Sequence, residues 1–549
     1  MEKDVIVVGS GASGMVAALA AYEQKLDVLL IESTSFIGGN SAISGGGVWI
    51  PNNHVIRNAG VEDSYEQALK YLNLCVGDVG PASSAQRREA FLTEGPKAIK
   101  WLESLGMQWV FTPGYSDYYP DKPGAMVSGR GVEAKKYNLK RLGQWADKLR
   151  ASYRVPIHTS EVKDLYLSKR SIKSLVAVLK VFVRDALIPL LRGELIVGLG
   201  NALMGRLFEL ILKRKIEFWL ESPLHKLVIN DGRVEGLEIK KQGKSVRVQA
   251  RRGVIFASGG FEKNAKMRQE HQESPIGADW TAGSEGNLGH PINLARDAGA
   301  ALALMNEAWW GPSVVVADTK ETLFLVPERS MPFCFIVGQD GKRFMNESES
   351  YVDAGHHQYE RNRIISAIPA WMILDSRHRK YYPFASFIPG WLGTKKLLNS
   401  GTMVAADSIA ELADKIGVDP AGLTETTQRF NGFARTGHDL DFNRGGNAYD
   451  RVYSDPKVKP NPNLGSVEKP PFYAIKIYPG DIGTKGGLLT DEYARVLRED
   501  GTVINGLYAA GNCSASVMGR TYPGAGSTLG PAITFGYIAG THLATENSG

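Results

Sequence analysis

The chain has 549 residues, 43% of them hydrophobic and 22% charged, with a formal net charge of +6. That length exceeds what one core serves, so two or more packed domains are expected, and a charge so small and diffuse does not mark a nucleic-acid binder. Three cysteines, Cys75, Cys334 and Cys513, lie far apart without CxxC spacing. This argues against a disulfide framework, a zinc site or an iron–sulfur cluster, so no metal is expected, and it fits a reducing compartment. The charged start Met1–Asp4 and the short apolar run Val5–Val8 do not read as a signal peptide, and no run of 18 apolar residues lacks a charge. The expectation is a cytoplasmic protein.

Residues 4–8 (DVIVV) read as a buried parallel strand, 14–24 (GMVAALAAYEQ) as a helix packed on it, and Val28–Ile31 as a second strand ending at Glu32. This is one βαβ unit of a doubly wound sheet. Between strand and helix stands Gly9-Ser10-Gly11-Ala12-Ser13-Gly14, a GxGxxG turn in the context that a dinucleotide site requires. The first glycine allows the tight turn, the second lets backbone approach a pyrophosphate, and the third lets helix pack on strand. The helix N-terminus offers its free N–H groups and positive dipole end to the phosphates. Glu32 is placed to accept hydrogen bonds from an adenosine ribose, and an acid there disfavours the 2′-phosphate of NADP.

NAD and FAD share this fingerprint. A second glycine-rich run, Gly38-Gly39-Asn40-Ser41-Ala42 followed by Ser44-Gly45-Gly46-Gly47, points to FAD, because it can pass along the pyrophosphate and the flavin ring. It holds no histidine or cysteine, so the flavin is expected to be non-covalent.

Further on, residues Lys169 to Arg192 place Lys173, Ala177, Lys180 and Arg184 on one helical stripe and Leu175, Val176, Leu179, Phe182, Val183 and Leu187 on the others. Two readings stay open: a basic amphipathic helix in a membrane interface, or a surface helix packed on the core. Lys226–Val248 reads as a hairpin turning at Asn230-Asp231-Gly232 and feeding a central strand at Gly253–Ala257. From Trp280 to Tyr449 the chain is richer in tryptophan, proline and loop residues, as an inserted domain would be. Strand-then-glycine grammar returns at Gly506–Asn512 (GLYAAGN), followed by a closing helix over Gly530–His542. The expected fold is therefore α/β: a Rossmann-like doubly wound FAD-binding domain, discontinuous in sequence, with an inserted α+β catalytic (capping) domain. The parts are 1–278, which contains the basic amphipathic insertion at about 155–197, then 279–455 for the capping domain and 456–549 for the C-terminal part.

The sequence resembles the FAD-dependent 3-ketosteroid Δ1-dehydrogenases, within the fumarate reductase and succinate dehydrogenase flavoprotein group, over nearly its whole length. The group marks are GSGASG with Glu32, GGNSAISGGGVWIP (38–51), ASGGFEKN (257–264) and GLYAAGN. The narrower marks are DYYP (117–120), NESESY (346–351), GTKGGLLTD (483–491) and TYPGAGSTLG (521–530). The resemblance implies removal of a C2 proton from the steroid A ring by Tyr351, with Tyr118 as its hydrogen-bonded helper, and transfer of a C1 hydride to flavin N5. Tyr522 and the backbone N–H of Gly526 are implied to hold the C3 carbonyl oxygen, stabilising the enolate as an oxyanion hole does. It places Ser44 and Phe333 with these residues at the substrate. For FAD it implies Ser33, Ala257, Ser258, Gly259, Gly511, Asn512, Ser527 and Leu529, beside the glycine turn, Glu32, Gly38–Ser41 and Ser44–Gly46.

Three departures stand out: Asn287 between two glycines where many relatives carry an acid, Ala525 where proline is common, and the insertion around the basic helix, absent from shorter members. Because steroids partition into membranes, the insertion favours peripheral contact through 165–195 at the inner face of the cell membrane. The expected partners are a 3-ketosteroid and an external electron acceptor, a quinone or similar. Rival readings are another flavin oxidoreductase, such as a Δ4-(5α)-ketosteroid dehydrogenase or a fumarate reductase, and, from a different class, a non-catalytic flavin-binding or membrane-scaffolding protein. A dicarboxylate site calls for arginines and histidines, whereas the motifs here offer tyrosines with Trp309, Trp310 and Phe333 as apolar neighbours.

Overall fold

The computed structural model describes residues 1–151 and 154–545. Strand β1 (Glu2–Val8) and strand β2 (Val28–Ile31) pair in parallel, joined by helix α1 (Ala12–Glu23), which starts two residues earlier than the periodicity suggested. Val5, Ile6, Val7, Leu29 and Leu30 are fully buried, as expected of a parallel sheet covered on both faces. The sheet runs in the order Arg495–Leu497, Val503–Ala509, Lys244–Phe256, β1, β2, Glu217–Trp219. Residues from the start, middle and end of the chain thus share one sheet, which is the discontinuity read from GLYAAGN.

The expected hairpin is part of a larger unit. Leu224–Asn230, Arg233–Lys241 and Lys244–Phe256 form an antiparallel meander with two two-residue turns, Asp231-Gly232 and Gln242-Gly243. All four turn residues have positive φ, the requirement of a type I′ turn. The sequence reading missed the second turn and therefore split a 13-residue strand, whose far end joins β1 in parallel. The closing helix, Leu529–Thr545, lies against α1. A Cβ on Gly536 would come within 2.5 Å of the Ser13 carbonyl oxygen, and one on Gly540 within 2.4 Å of that of Ala17, so glycines four apart set the helix spacing.

A second, antiparallel sheet runs Thr322–Phe324, Ala308–Val315, Phe472–Thr484, Ala370–Leu374, Cys334–Val337, with Met403–Ala406 also on Phe472–Thr484. Its middle strand comes from beyond residue 455, so the boundary expected there falls short. The strand Phe472–Thr484 is long enough to pair with three others along its length, and this lobe cannot close without it.

A separate helix, Thr159–Leu167, precedes the basic segment, which is helical without a break from Ile172 to Leu191, as read from the sequence, with a π-helical stretch over Phe182–Leu187 between Ile172–Val181 and Ile188–Leu191. Its apolar side faces outward: Ile172 is 82% exposed and Leu191 80%, and Leu175, Val176, Leu179, Phe182, Val183, Leu187, Ile188 and Leu190 are exposed as well. The reading in which these side chains pack on the core is overturned. No helix among the described residues is long and apolar enough to cross a membrane.

Candidate active site

One cavity of about 1510 Å³ runs from the glycine turn and Glu32 to Tyr118, Tyr351 and Tyr522. Its dinucleotide end is built as the fingerprint predicts. Gly9 adopts φ 109°, and a Cβ there would meet the Ala257 carbonyl oxygen at 2.3 Å. One on Gly14 would collide with the Gly9 carbonyl oxygen, whereas Gly11 faces the cavity with only Ser41 Oγ near, at 3.5 Å. Gly11 caps α1 without a side-chain hydrogen bond, so the helix presents backbone N–H groups to the cavity. Glu32 is buried, accepting from Ser10 Oγ at 2.6 Å through one oxygen and from the Thr34 N–H at 2.9 Å through the other. The donors, the fit at Gly11 and the buried acid suit the pyrophosphate and ribose of FAD.

Of the cofactor contacts expected from sequence, all but Gly14, Gly38 and Ser527 line this cavity. Gly14 sits beneath the turn. Gly38, at φ 104°, caps the short helix Gly39–Ile43 and donates its N–H to Ser10 Oγ at 3.0 Å. Ser527 exchanges hydrogen bonds with Gly524 and shapes the loop 521–530 from within.

Glu262 was not singled out from sequence, and it is central here. It is fully buried, and its Oε1 accepts from Asn40 Nδ2 at 2.7 Å and from Asn287 Nδ2 at 2.6 Å. Burial first and the nearby Asp481 second push its carboxyl above the usual range. The asparagine that departs from the family pattern therefore has an acid as its partner, and Glu262 ties the loop carrying Asn287 to the GGN turn. The signal available in the sequence was an acid directly after the apolar end of ASGGF.

At the other end three tyrosines converge. The ring centroids lie 4.7 Å apart for Tyr351 and Tyr522, 5.2 Å for Tyr118 and Tyr522, and 5.5 Å for Tyr118 and Tyr351, the last pair edge to face. Tyr351 is the first residue of the helix Tyr351–Asn362, at the positive end of its dipole. The Gly526 N–H donates to the Tyr522 hydroxyl at 3.3 Å, so both expected donors meet at one point. Tyr118 stands also at 4.1 Å from Tyr449 and near Tyr115, which sequence reasoning did not single out. Among the described residues no hydrogen bond joins the hydroxyls of Tyr118 and Tyr351. Burial, and then the other phenols, push Tyr118 and Tyr351 well above the ordinary tyrosine value.

Ser44 lines the cavity, its hydroxyl donating to the Ser41 carbonyl oxygen at 2.8 Å. Phe333, Trp309 and Trp310 do not. Phe333 is buried at φ 71°, stacked on Tyr382 with the Arg377 guanidinium over its ring, so its apolar surface is spent inside the second lobe. Phe324, Phe387, Val326 and Pro327 provide the apolar wall instead, with Val162, Leu165 and Tyr166 of the insertion. No arginine or lysine lies among the described residues lining the cavity.

A family model described as FAD binding domain matches residues 4–529, and the chain belongs to this FAD-binding family. The chain is 44% identical to the 3-oxosteroid 1-dehydrogenase of Mycobacterium tuberculosis (strain ATCC 25618 / H37Rv) over 563 residues, covering 99% of each. It is 34% identical to the 4-oxocyclohexanecarboxylate 2-dehydrogenase of Sinomonas cyclohexanicum, covering 100% of this chain and 93% of that one. The fold matches that of the 3-ketosteroid delta1-dehydrogenase from Sterolibacterium denitrificans, solved in complex with 1,4-androstadiene-3,17-dione, with a TM-score of 0.94 at 40% identity over 99% of both chains. Within the FAD-binding family, the chain belongs with the 3-oxosteroid 1-dehydrogenases.

Proposed function

We propose that this protein is an FAD-dependent oxidoreductase that introduces the 1,2 double bond into the A ring of 3-ketosteroids. The observation that carries the reading is the meeting of Tyr351, Tyr522 and the Gly526 N–H at the end of a cavity whose other end is a dinucleotide cradle. When bound, FAD supplies the acceptor for the C1 hydride. The chain's own residues do the rest. Tyr522 and the Gly526 N–H bind the C3 carbonyl oxygen and stabilise the negative charge that develops there as the C2–H bond breaks. Tyr351 takes the C2 proton. It is neutral in the free enzyme, so its phenolate needs support at the moment of transfer. The N-terminus of its own helix supports it, and the Tyr118 hydroxyl, which is not hydrogen-bonded to Tyr351 among the described residues, turns to it when the substrate is bound.

The lining separates this reading from dicarboxylate chemistry and from 4-oxo acids. A carboxylate substrate buried among tyrosines and phenylalanines needs a cation, and among the described residues no arginine or lysine lines the cavity, whose histidine, His290, adjoins the Gly286–Gly289 loop and not the tyrosines. A neutral polycyclic ketone needs only the carbonyl donors and the apolar wall.

The membrane contact at 165–195 is part of the same proposal. Lys169 Nζ, three residues before the outward apolar side chains of Ile172–Leu191 begin, donates to the Pro389 carbonyl oxygen at 2.8 Å, and Ile388, Trp391 and Leu392 on that second segment are exposed as well. Leu165, Ser168, Ile388 and Pro389 also line the cavity. Exposed apolar side chains on two segments that also contribute to the cavity wall suit an interfacial seat. Such a seat brings the enzyme to a lipid-dissolved quinone as electron acceptor.

The test is anaerobic: androst-4-ene-3,17-dione should bleach the yellow, FAD-loaded protein, and succinate and 4-oxocyclohexanecarboxylate should not. Bleaching by either acid and not by the steroid would overturn the reading.

A further inference from the structure

Arg87 is 2% exposed, and no carboxylate forms an ion pair with it among the described residues. Its Nη1 donates to the carbonyl oxygens of Ala82 and, at 3.0 Å, Ala515, its Nε has no partner, and the guanidinium lies 4.9 Å from the ring centre of Phe535 in the closing helix. Desolvation of the charge is only partly offset by two carbonyls and a ring face. Burial lowers the guanidinium pKa to about 10, which leaves it a cation at neutral pH.

The position of this cation gives it a role. Arg87 borders a cavity of about 20 Å³, large enough for one water, whose wall includes Asn512, Thr528 and Ala532. Those three residues also wall the large cavity. Gly511, next to Asn512, abuts Ser13 in the first turn of α1, where a pyrophosphate is held, and Thr528 Oγ1 lies 3.4 Å from the Tyr522 hydroxyl. The wall from Gly511 to Thr528 therefore spans the stretch between phosphates and tyrosines, the stretch that the flavin ring must occupy. Arg87 stands behind it.

A hydride brings two electrons and one proton to the ring, which leaves one negative charge on the pyrimidine side. We infer that Arg87 is the fixed positive charge that stabilises this negative charge through the wall, raising the flavin's reduction potential and favouring hydride transfer. Arg87 is closed off from bulk water and forms no ion pair among the described residues, so its field crosses the wall with little solvent screening, Asp491 and Glu492 being the acids whose fields reach it. The inference rests on FAD in the large cavity and not on the identity of the substrate.

Sulfite is a direct probe. Its lone pair forms an S–N bond at flavin N5, and the displaced electron pair leaves the same negative charge on the ring, with no proton or redox partner involved. In FAD-loaded Arg87→Met and Arg87→Gln, sulfite should bind on the order of tenfold more weakly, and the midpoint potential from dye equilibration should fall. Arg87→Lys, which keeps the charge, should stay close to the parent in both. Unchanged sulfite affinity and potential in either neutral variant would overturn the inference. So would failure of both neutral variants to fold while Arg87→Lys folds with altered sulfite binding, because the charge would then serve the fold alone.

Discussion

The N–H of Gly526 donates to the Tyr522 hydroxyl oxygen at 3.3 Å, so the two groups proposed to hold a carbonyl oxygen are neighbours, and a bound ketone takes the tyrosine's place as acceptor of that N–H. Removing one should leave the other in place. Tyr522→Phe is expected to lower kcat by an amount equivalent to roughly 2–4 kcal/mol of barrier, as for one lost oxyanion donor. A loss seen only in KM would show that the hydroxyl binds ground state and transition state equally.

Gly526 allows a sharper test. It has φ 102°, and a Cβ there would lie 2.3 Å from the Gly47 carbonyl oxygen, with the Val48 nitrogen close behind. Gly526→Ala must push apart two backbone segments that both wall the cavity. Activity should be lost while the melting temperature falls by only a few degrees, as thermal unfolding read beside steady-state rates would show.

Tyr351→Phe should abolish turnover and keep steroid affinity, measured by spectral titration, because only the proton transfer loses its partner. The pH dependence has a defined sign. Burial and the surrounding phenols hold Tyr351 above 10, so the proton-accepting form is scarce at neutral pH and grows as pH rises. The rate of flavin reduction in a rapid-mixing experiment should therefore increase from pH 6 to 9. A flat profile would place the base elsewhere.

The dinucleotide half of the molecule was legible because its requirements are local. GSGASG fixes a turn, a helix start and a packing contact within six residues, and Glu32 follows at strand spacing. The second lobe was far less so. Its middle strand, Phe472–Thr484, is assembled with strands some 70 to 170 residues earlier, and nothing periodic in the sequence announces that pairing. Phe333 was misplaced for a related reason. A motif position says which residues are near, not which way a side chain points, and its positive φ turns the ring toward Tyr382. Glu262 was missed because its work is done through two asparagines that are distant in sequence.

Glu262 holds Asn40 and Asn287 with one oxygen while the other has no hydrogen-bond partner. Glu262→Gln should keep most of this, since its amide oxygen can accept both bonds. Glu262→Leu takes the acceptor from the buried Asn287 amide, an unmet group costing about 1–3 kcal/mol, and leaves Asn40 Nδ2 with the Ile482 carbonyl oxygen alone. FAD retention on gel filtration should separate the two: the Gln variant stays yellow, and the Leu variant elutes largely as apoprotein. Equal retention would deny Glu262 its part in shaping the cradle.

His357 and Glu349 form a pair at 2.7 Å, and both bind protons more tightly in the folded chain. Its hydrogen bond to Glu349 raises His357 to about 9, and burial raises Glu349 to about 7. The histidine's contribution to stability is fully present below pH 6.5 and is lost as pH rises through 9. The raised carboxyl works in the same direction, because the folded state holds its proton from about 4.5 up to 7. The melting temperature should therefore decline between pH 6.5 and 9, and His357→Gln should flatten that decline. An equal slope in the variant would assign it to other groups.

The surface over Ile172–Leu191 leads to the last expectation. Isolated exposed apolar residues need no explanation, but ten in one short helical segment form a patch that water alone does not favour, and Ile388, Trp391 and Leu392 are exposed on the segment tied to Lys169. Lys173, Lys180 and Arg184 lie among them, and the two lysines can reach anionic headgroups while the apolar side chains enter the interface. The enzyme should sediment with vesicles containing anionic lipid and be released in part by salt, because the lysines' share is screened and the apolar share is not. Replacing Leu175, Leu179, Phe182 and Leu191 by serine should abolish sedimentation and leave flavin content unchanged, since none of the four lines the cavity. With the steroid dissolved in those vesicles, the variant should also turn over more slowly than the parent, and the two should match when the steroid is supplied in detergent. Equal sedimentation of parent and variant would show that the patch meets something other than lipid.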